Sequence, residues 1–135
     1  MMAFIHLKNA VKNNPNNPVL LNNYSYYLAE QKRELILAEE LILKALNNYP
    51  KNPTFLDTYG WVLFNKDDFN NAEIWINKAI NNSTDENGVI LEHYGDVLFH
   101  LDKKEEAIIF WKKAKNKGGA SDKIQTKIND KEFIK

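Results

Sequence analysis

Apolar residues recur along this chain at helical spacing in two alternating kinds of segment. The first kind reads Leu20, Leu21, Tyr24, Tyr27, Leu28; then Phe55, Leu56, Tyr59, Val62, Leu63; then Ile90, Leu91, Tyr94, Val97, Leu98. Each set predicts an amphipathic helix of about three turns, here termed A. Polar breaks follow at residues 30–34, 65–68 and 100–104. The second kind reads Ala38, Leu41, Ile42, Ala45, Leu46; then Ala72, Trp75, Ile76, Ala79, Ile80; then Ala107, Phe110, Trp111, Ala114, and predicts a helix B. Two helices joined by a short polar turn form an antiparallel hairpin. The pattern therefore predicts an all-α chain of successive hairpins.

The hairpins are copies of one unit. Asn17-Pro18, Asn52-Pro53 and Asn87-Gly88 align at a period of 35, as do Tyr24-Ser25, Tyr59-Gly60 and Tyr94-Gly95. Ala38, Ala72 and Ala107 align at steps of 34 and 35, and so do Ala45, Ala79 and Ala114. Similarity at a fixed period in this range marks a stacked, solenoid-like array. Ser25, Gly60 and Gly95 fall in mid-helix, where glycine costs about 0.5–1 kcal/mol relative to alanine. A packing reason is needed, and close approach of helix A to helix B supplies it, with the alanines leaving room opposite.

These columns resemble the tetratricopeptide repeat, a 34-residue helix-turn-helix unit. The match runs through a large-small pair (Tyr24-Ser25, Tyr59-Gly60, Tyr94-Gly95), a later Ala, a bulky residue four positions on (Ile42, Ile76, Trp111), a second Ala, and Pro50. Thr84 and Gly119 stand where the second and third units would have that proline. The resemblance implies an antiparallel helix-hairpin superhelix covering residues 1–135 as a single domain. Its parts are a partial repeat at 1–17, repeats at 18–52, 53–87 and 88–120, and a capping helix at 121–135.

The ends carry different information. Residues 9–18 align with residues 44–53, so residues 2–14 form a B helix without its own A helix, leaving Phe4, Ile5, Leu7 and Val11 unpartnered. Terminal repeats need a polar outer face. This reads as the C-terminal portion of a longer array, the alternative being a short protein whose first helix caps the stack. At the other end Gly118-Gly119 stops the last B helix. Ser121 is expected to cap a helix from Asp122 to about Phe133, with Ile124, Ile128 and Phe133 covering repeat three and Lys123, Lys127, Asp130 and Lys131 in water.

In the resembled family the A helices line the concave face, so candidate ligand residues are those on the A helices that the core does not use. At 100° per residue these are Val19, Asn22, Tyr26 and Ala29; Thr54, Asp57, Trp61 and Phe64; Val89, Glu92, Asp96 and Phe99. Asn23, Thr58 and His93 lie alongside, with Glu30, Asn65 and His100 at the rim. The candidate partner-binding set is Asn22, Tyr26, Asp57, Trp61, Phe64, Glu92, Asp96 and Phe99. Aromatic rings beside carboxylates suit a peptide or helix carrying an apolar anchor and a Lys or Arg. The competing reading is that Tyr26, Trp61 and Phe64 pack between neighbouring A helices and the acids form a solvated face.

Composition narrows the functional classes. Lys plus Arg and Asp plus Glu are 18 each, so no net field draws nucleic acid, and the basic residues are scattered rather than gathered into a stripe. There is no cysteine to form a disulfide, a thiolate metal site or a nucleophile. No apolar run approaches a membrane span of roughly 20 residues, so no membrane insertion is expected of this chain. Compartment stays open: cytoplasm by default, periplasm or envelope if a signal lies upstream. His93 and His100 are about 10 Å apart along a helix at 1.5 Å per residue, too far to share one ion, so no metal is expected. No phosphate loop, nucleophile elbow or zinc-protease signature occurs, so neither catalysis nor a cofactor is expected. Glu39-Glu40 and Glu105-Glu106 read as complements to helix dipoles.

The expectation is a protein-interaction scaffold using the concave A-helix face. The alternatives are a structural or self-association module, with homodimerisation through the N-terminal helix, and a non-catalytic module of a larger envelope or enzyme protein. Chaperone adaptors of the resembled family hold a C-terminal carboxylate with Lys, Arg and Asn, whereas the matching columns here hold Asn22, Asp57, Glu92, Trp61 and Asp96. An acidic C-terminal peptide of heat-shock-protein type should therefore show no binding in calorimetry, and micromolar affinity would refute this.

Overall fold

A computed structural model describes residues 2–134; Met1 and Lys135, the ends of the expected domain, lie outside the described residues. The helices are α1 (Met2–Asn13), α2 (Pro18–Glu30), α3 (Leu35–Asn48), α4 (Pro53–Asn65), α5 (Phe69–Asn82), α6 (Gly88–His100), α7 (Lys104–Lys117) and α8 (Ile124–Asp130). The molecule is an all-α helical-repeat solenoid in which α2–α3, α4–α5 and α6–α7 pair as hairpins. Each A helix starts at the repeated asparagine. Asn17 Oδ1 accepts from Leu20 N at 3.1 Å, Asn52 Oδ1 from Phe55 N at 3.1 Å, and Asn87 Oδ1 from Val89 N at 2.8 Å. Such caps are typically worth about 1 kcal/mol each. Gly88 replaces the proline of the other units because the carbonyls of Ala114 and Gly118, at the end of α7, occupy the place of a Cβ.

The small-residue column closes the hairpins. A Cβ on Gly60 would collide with Ile76 Cγ1, and one on Gly95 would lie 2.5 Å from Trp111 Cδ1. Ser25 uses the same gap differently, its Oγ donating to Ala38 O at 2.7 Å. The group opposite the small residue is thus chiefly the bulky column Ile76 and Trp111, rather than the alanines alone. Ile76, Trp111, Ala72 and Ala107 are all buried.

Successive hairpins are joined by a second recurring contact. Tyr59 donates to Glu39 Oε2 at 3.1 Å and Tyr94 to Glu73 Oε2 at 3.3 Å, so each A-helix tyrosine reaches a carboxylate of the preceding B helix. Lys66 and Lys103 pair with the same two carboxylates. One repeat earlier the equivalent of Glu39 is Phe4, whose ring meets Tyr24 edge-on at 6.0 Å. Burial first, then the carboxylate, pushes the Tyr59 and Tyr94 hydroxyls up to about 12, so both remain donors.

Both ends differ from expectation. Phe4, Leu7 and Val11 are not left bare: they pack on the core through α2, with the Arg33 guanidinium 4.1 Å from the Phe4 ring centroid. Ile5 remains 50% exposed. The C-terminal helix is shorter than expected, ending where Lys131 takes φ 56°. Lys127 is not in water but 4% exposed, because its spacing from Ile124 sets it on the buried face of α8. Ser121 Oγ accepts from Lys123 N at 3.3 Å just before the helix rather than from within it, and donates to Glu92 at 2.6 Å.

Gly60→Ala should destabilise the protein by about 1–3 kcal/mol in denaturant unfolding through overpacking against Ile76. Adding Ile76→Val should recover part of that loss; an unchanged midpoint for Gly60→Ala would contradict the close-packed joint.

Candidate functional site

Successive A helices pack on one another, α2 on α4 and α4 on α6, while the B helices fan apart, so the A side is concave. On that side lies a cavity of about 780 Å³. Tyr26 and Glu30 of α2, Trp61 and Phe64 of α4, and His93, Asp96 and His100 of α6 line it. The opposite wall is the chain's own C-terminal segment, through Ser121, Asp122, Lys127, Phe133 and Ile134.

Of the eight expected residues, Tyr26, Trp61, Phe64, Glu92 and Asp96 are at the cavity wall. Tyr26 is half-buried, whereas the other four are buried. Trp61 stacks between Phe64 (4.6 Å) and His93 (3.9 Å), and its Nε1–H donates to Glu30 Oε1 at 2.9 Å. These rings therefore pack between neighbouring A helices while also presenting edges to the cavity. Asp57 sits behind His93, and Phe99 turns toward Trp111 and Lys104. Asn22 is buried, its Nδ2 donating to Asn23 Oδ1 at 3.5 Å and its Oδ1 without a hydrogen-bond partner.

The acids are not a solvated face. Each of the three has a partner from this chain. His93 Nδ1–H donates to Asp57, 3.0 Å from each oxygen. Lys127 Nζ donates to Glu92 Oε2 at 2.7 Å and to Asp96 at 2.9 and 3.1 Å. Trp111 Nε1–H adds a bond to Asp96 at 3.0 Å, and Ser121 contributes two to Glu92. Burial pushes the Glu92 carboxyl up, but Lys127 and Ser121 outweigh it and hold the group below its ordinary value. Burial dominates at Asp96, which rises to about 6 against the pull of Lys127. His93 goes the other way: burial lowers it, yet Asp57 chiefly, with Asp96 and Glu30, raises it overall.

Sequence reasoning assigned no groove role to Lys127 and placed Phe133 on the outside of repeat three. A signal for Lys127 was present: Thr58, His93 and Lys127 follow one another at steps of 35 and 34, one position after Asp57 and Glu92 in the repeat. Each base of that column reaches back to the acid of the preceding A helix. Phe133 carried no comparable signal, because it follows the break at Lys131.

No protein-family model and no curated protein matches this chain. Solved structures do. The chain is similar to TTC0263, a thermophilic TPR protein in Thermus thermophilus, with a TM-score of 0.77 at 15% identity over 96% of this chain and 71% of that one. It is similar to YrrB, a TPR protein with an unusual peptide-binding site, with a TM-score of 0.71 at 21% identity over 93% and 63%. PilF of Pseudomonas aeruginosa gives 0.66 at 18% identity over 93% and 60%. The fold is thus of the tetratricopeptide type, and the chain spans less than two thirds of the length of YrrB and of PilF.

Because the folded pKa of His93 is raised, the stability drawn from its pairing with Asp57 is complete below the unfolded value near 6.5 and is lost as pH rises through the folded value. The melting temperature should therefore fall as pH rises above about 6.5, and His93→Gln should flatten that slope. Equal slopes for the two proteins would contradict the assignment.

Proposed function

We propose that this chain is a protein-interaction scaffold that takes a peptide or partner segment in the A-helix groove. The observation that carries the reading is the cavity itself. Its volume of about 780 Å³ lies within the range of ligand pockets, and its walls combine aromatic faces with a few placed polar groups. Tyr26 and Trp61 offer apolar surface, and Glu30, exposed at the rim, offers a carboxylate to a cation. Similarity in fold to a TPR protein whose own description includes a peptide-binding site supports the same reading. The self-association alternative has less to draw on, since Phe4, Leu7 and Val11 are half-buried against the core, although Ile5 stays exposed.

Asp57, Trp61 and Phe64 are too buried to serve as clean probes, because removing them would disturb the joint between A helices. Tyr26 and Glu30 are accessible enough to test. Peptides selected from a random display library on the immobilised full chain should lose at least about tenfold in affinity to Tyr26→Ala or Glu30→Lys, the loss of a typical hot spot. Lys112→Ala, exposed on α7, should bind them normally. Selected peptides indifferent to both groove variants would move the interface elsewhere.

A further inference from the structure

We infer that the groove recognises segments in which a basic side chain is followed six positions later by an aromatic one, and that residues 121–134 of this chain hold that place until a partner of the same chemistry displaces them. This rests on the groove reading above and specifies the partner.

The first support is electrostatic. Lys127 Nζ lies within hydrogen-bond distance of both Glu92 and Asp96, and all three groups are buried. Withdrawing the lysine alone would leave two carboxylates desolvated without their cation, which is strongly unfavourable. An occupant that replaces the C-terminal segment must therefore bring a positive charge to that point. The second support is the aromatic end. The Phe133 ring lies 5.8 Å from Phe64 and 4.8 Å from His100, edge-on to each, with Lys127 Nζ 5.3 Å from its centroid. Cation and ring are thus read together, in one groove, from one short segment.

The third support is that the helix of that segment cannot hold itself. It has seven residues, has no side-chain cap, and ends at a lysine with positive φ. A helix of that length is not stable in water by itself. Beyond Lys127 and Phe133 the segment is held by Ile124 and Ile128 on the last repeat, by the Ser121 hydrogen bonds to Glu92 and by a Lys115–Gln125 hydrogen bond. Being tethered, it competes at high effective concentration. The same cavity is lined by Tyr26 and Glu30 of α2, which an incoming segment can engage before the tail has left.

The test uses the full chain and a fluorescent peptide with the sequence of residues 121–134, followed by anisotropy. Phe133→Ala weakens the internal competitor while leaving the buried ion pair in place, so it should bind the peptide roughly tenfold more tightly than the unmodified chain. The same peptide carrying Lys127→Gln should bind neither protein measurably. A chain carrying Lys127→Gln, if folded by circular dichroism, should bind the parent peptide more tightly still; if it does not fold, Phe133→Ala decides. Equal affinity of the unmodified chain and Phe133→Ala, full binding by the glutamine peptide, or no binding by any variant would overturn the inference. So would an unmodified dimer that peptide dissociates, since the place would then belong to a second copy's tail. Library-selected peptides that depend on Tyr26 but are indifferent to Phe133→Ala would overturn this inference while leaving the groove reading intact.

Discussion

Everything in this molecule follows from how closely helix A approaches helix B inside each hairpin. At Gly60 and Gly95 there is no space for a single methyl group, because Ile76 and Trp111 occupy it. At Ser25 the same gap is closed by a hydroxyl bonded to the Ala38 carbonyl. That contact sets the tilt of each hairpin and so the direction in which the next one stacks. With the A helices touching and the B helices apart, the array curves toward the A side, where the cavity lies.

A second layer of contacts turns stacked hairpins into one body. Phe4 against Tyr24, Glu39 against Tyr59 and Glu73 against Tyr94 occupy equivalent positions in successive joints, yet the first is a ring pair and the others are hydrogen bonds. Geometry is conserved between the joints while chemistry is exchanged. The acidic column on the inner face behaves likewise, with His93 answering Asp57 and Lys127 answering Glu92. Charges that would repel along a bare concave wall are instead paired with bases of the following helix.

The fold was legible in the chain because a repeat states its pattern several times. Tyr24-Ser25, Tyr59-Gly60 and Tyr94-Gly95 specify the same close approach, and the asparagines before α2, α4 and α6 specify the same cap. The site was legible only as a face. Helical spacing says which side Trp61, Asp57 and Phe99 occupy, but depth is decided by neighbours distant in sequence: Glu30 and His93 for Trp61, His93 for Asp57, Trp111 for Phe99. Lys127 was misplaced for the same reason. On a short polar helix a lysine reads as solvent-facing, and only the carboxylates from more than thirty residues earlier make its burial favourable.

The acid-base column also gives the array a sense of direction. Helix α6 presents an acid, Glu92, toward the helix that follows and a base, His93, toward the one before, like a coupling with a hook at one end and an eye at the other. At the first joint the corresponding residues, Asn22 and Thr58, are uncharged; at the second they are Asp57 and His93; at the third, Glu92 and Lys127. The joints are therefore not interchangeable parts. A rearranged array with its units in another order would set Asn22 against a charged base, or Glu92 against Thr58, and would lose its electrical match at the seams although every hairpin remained intact.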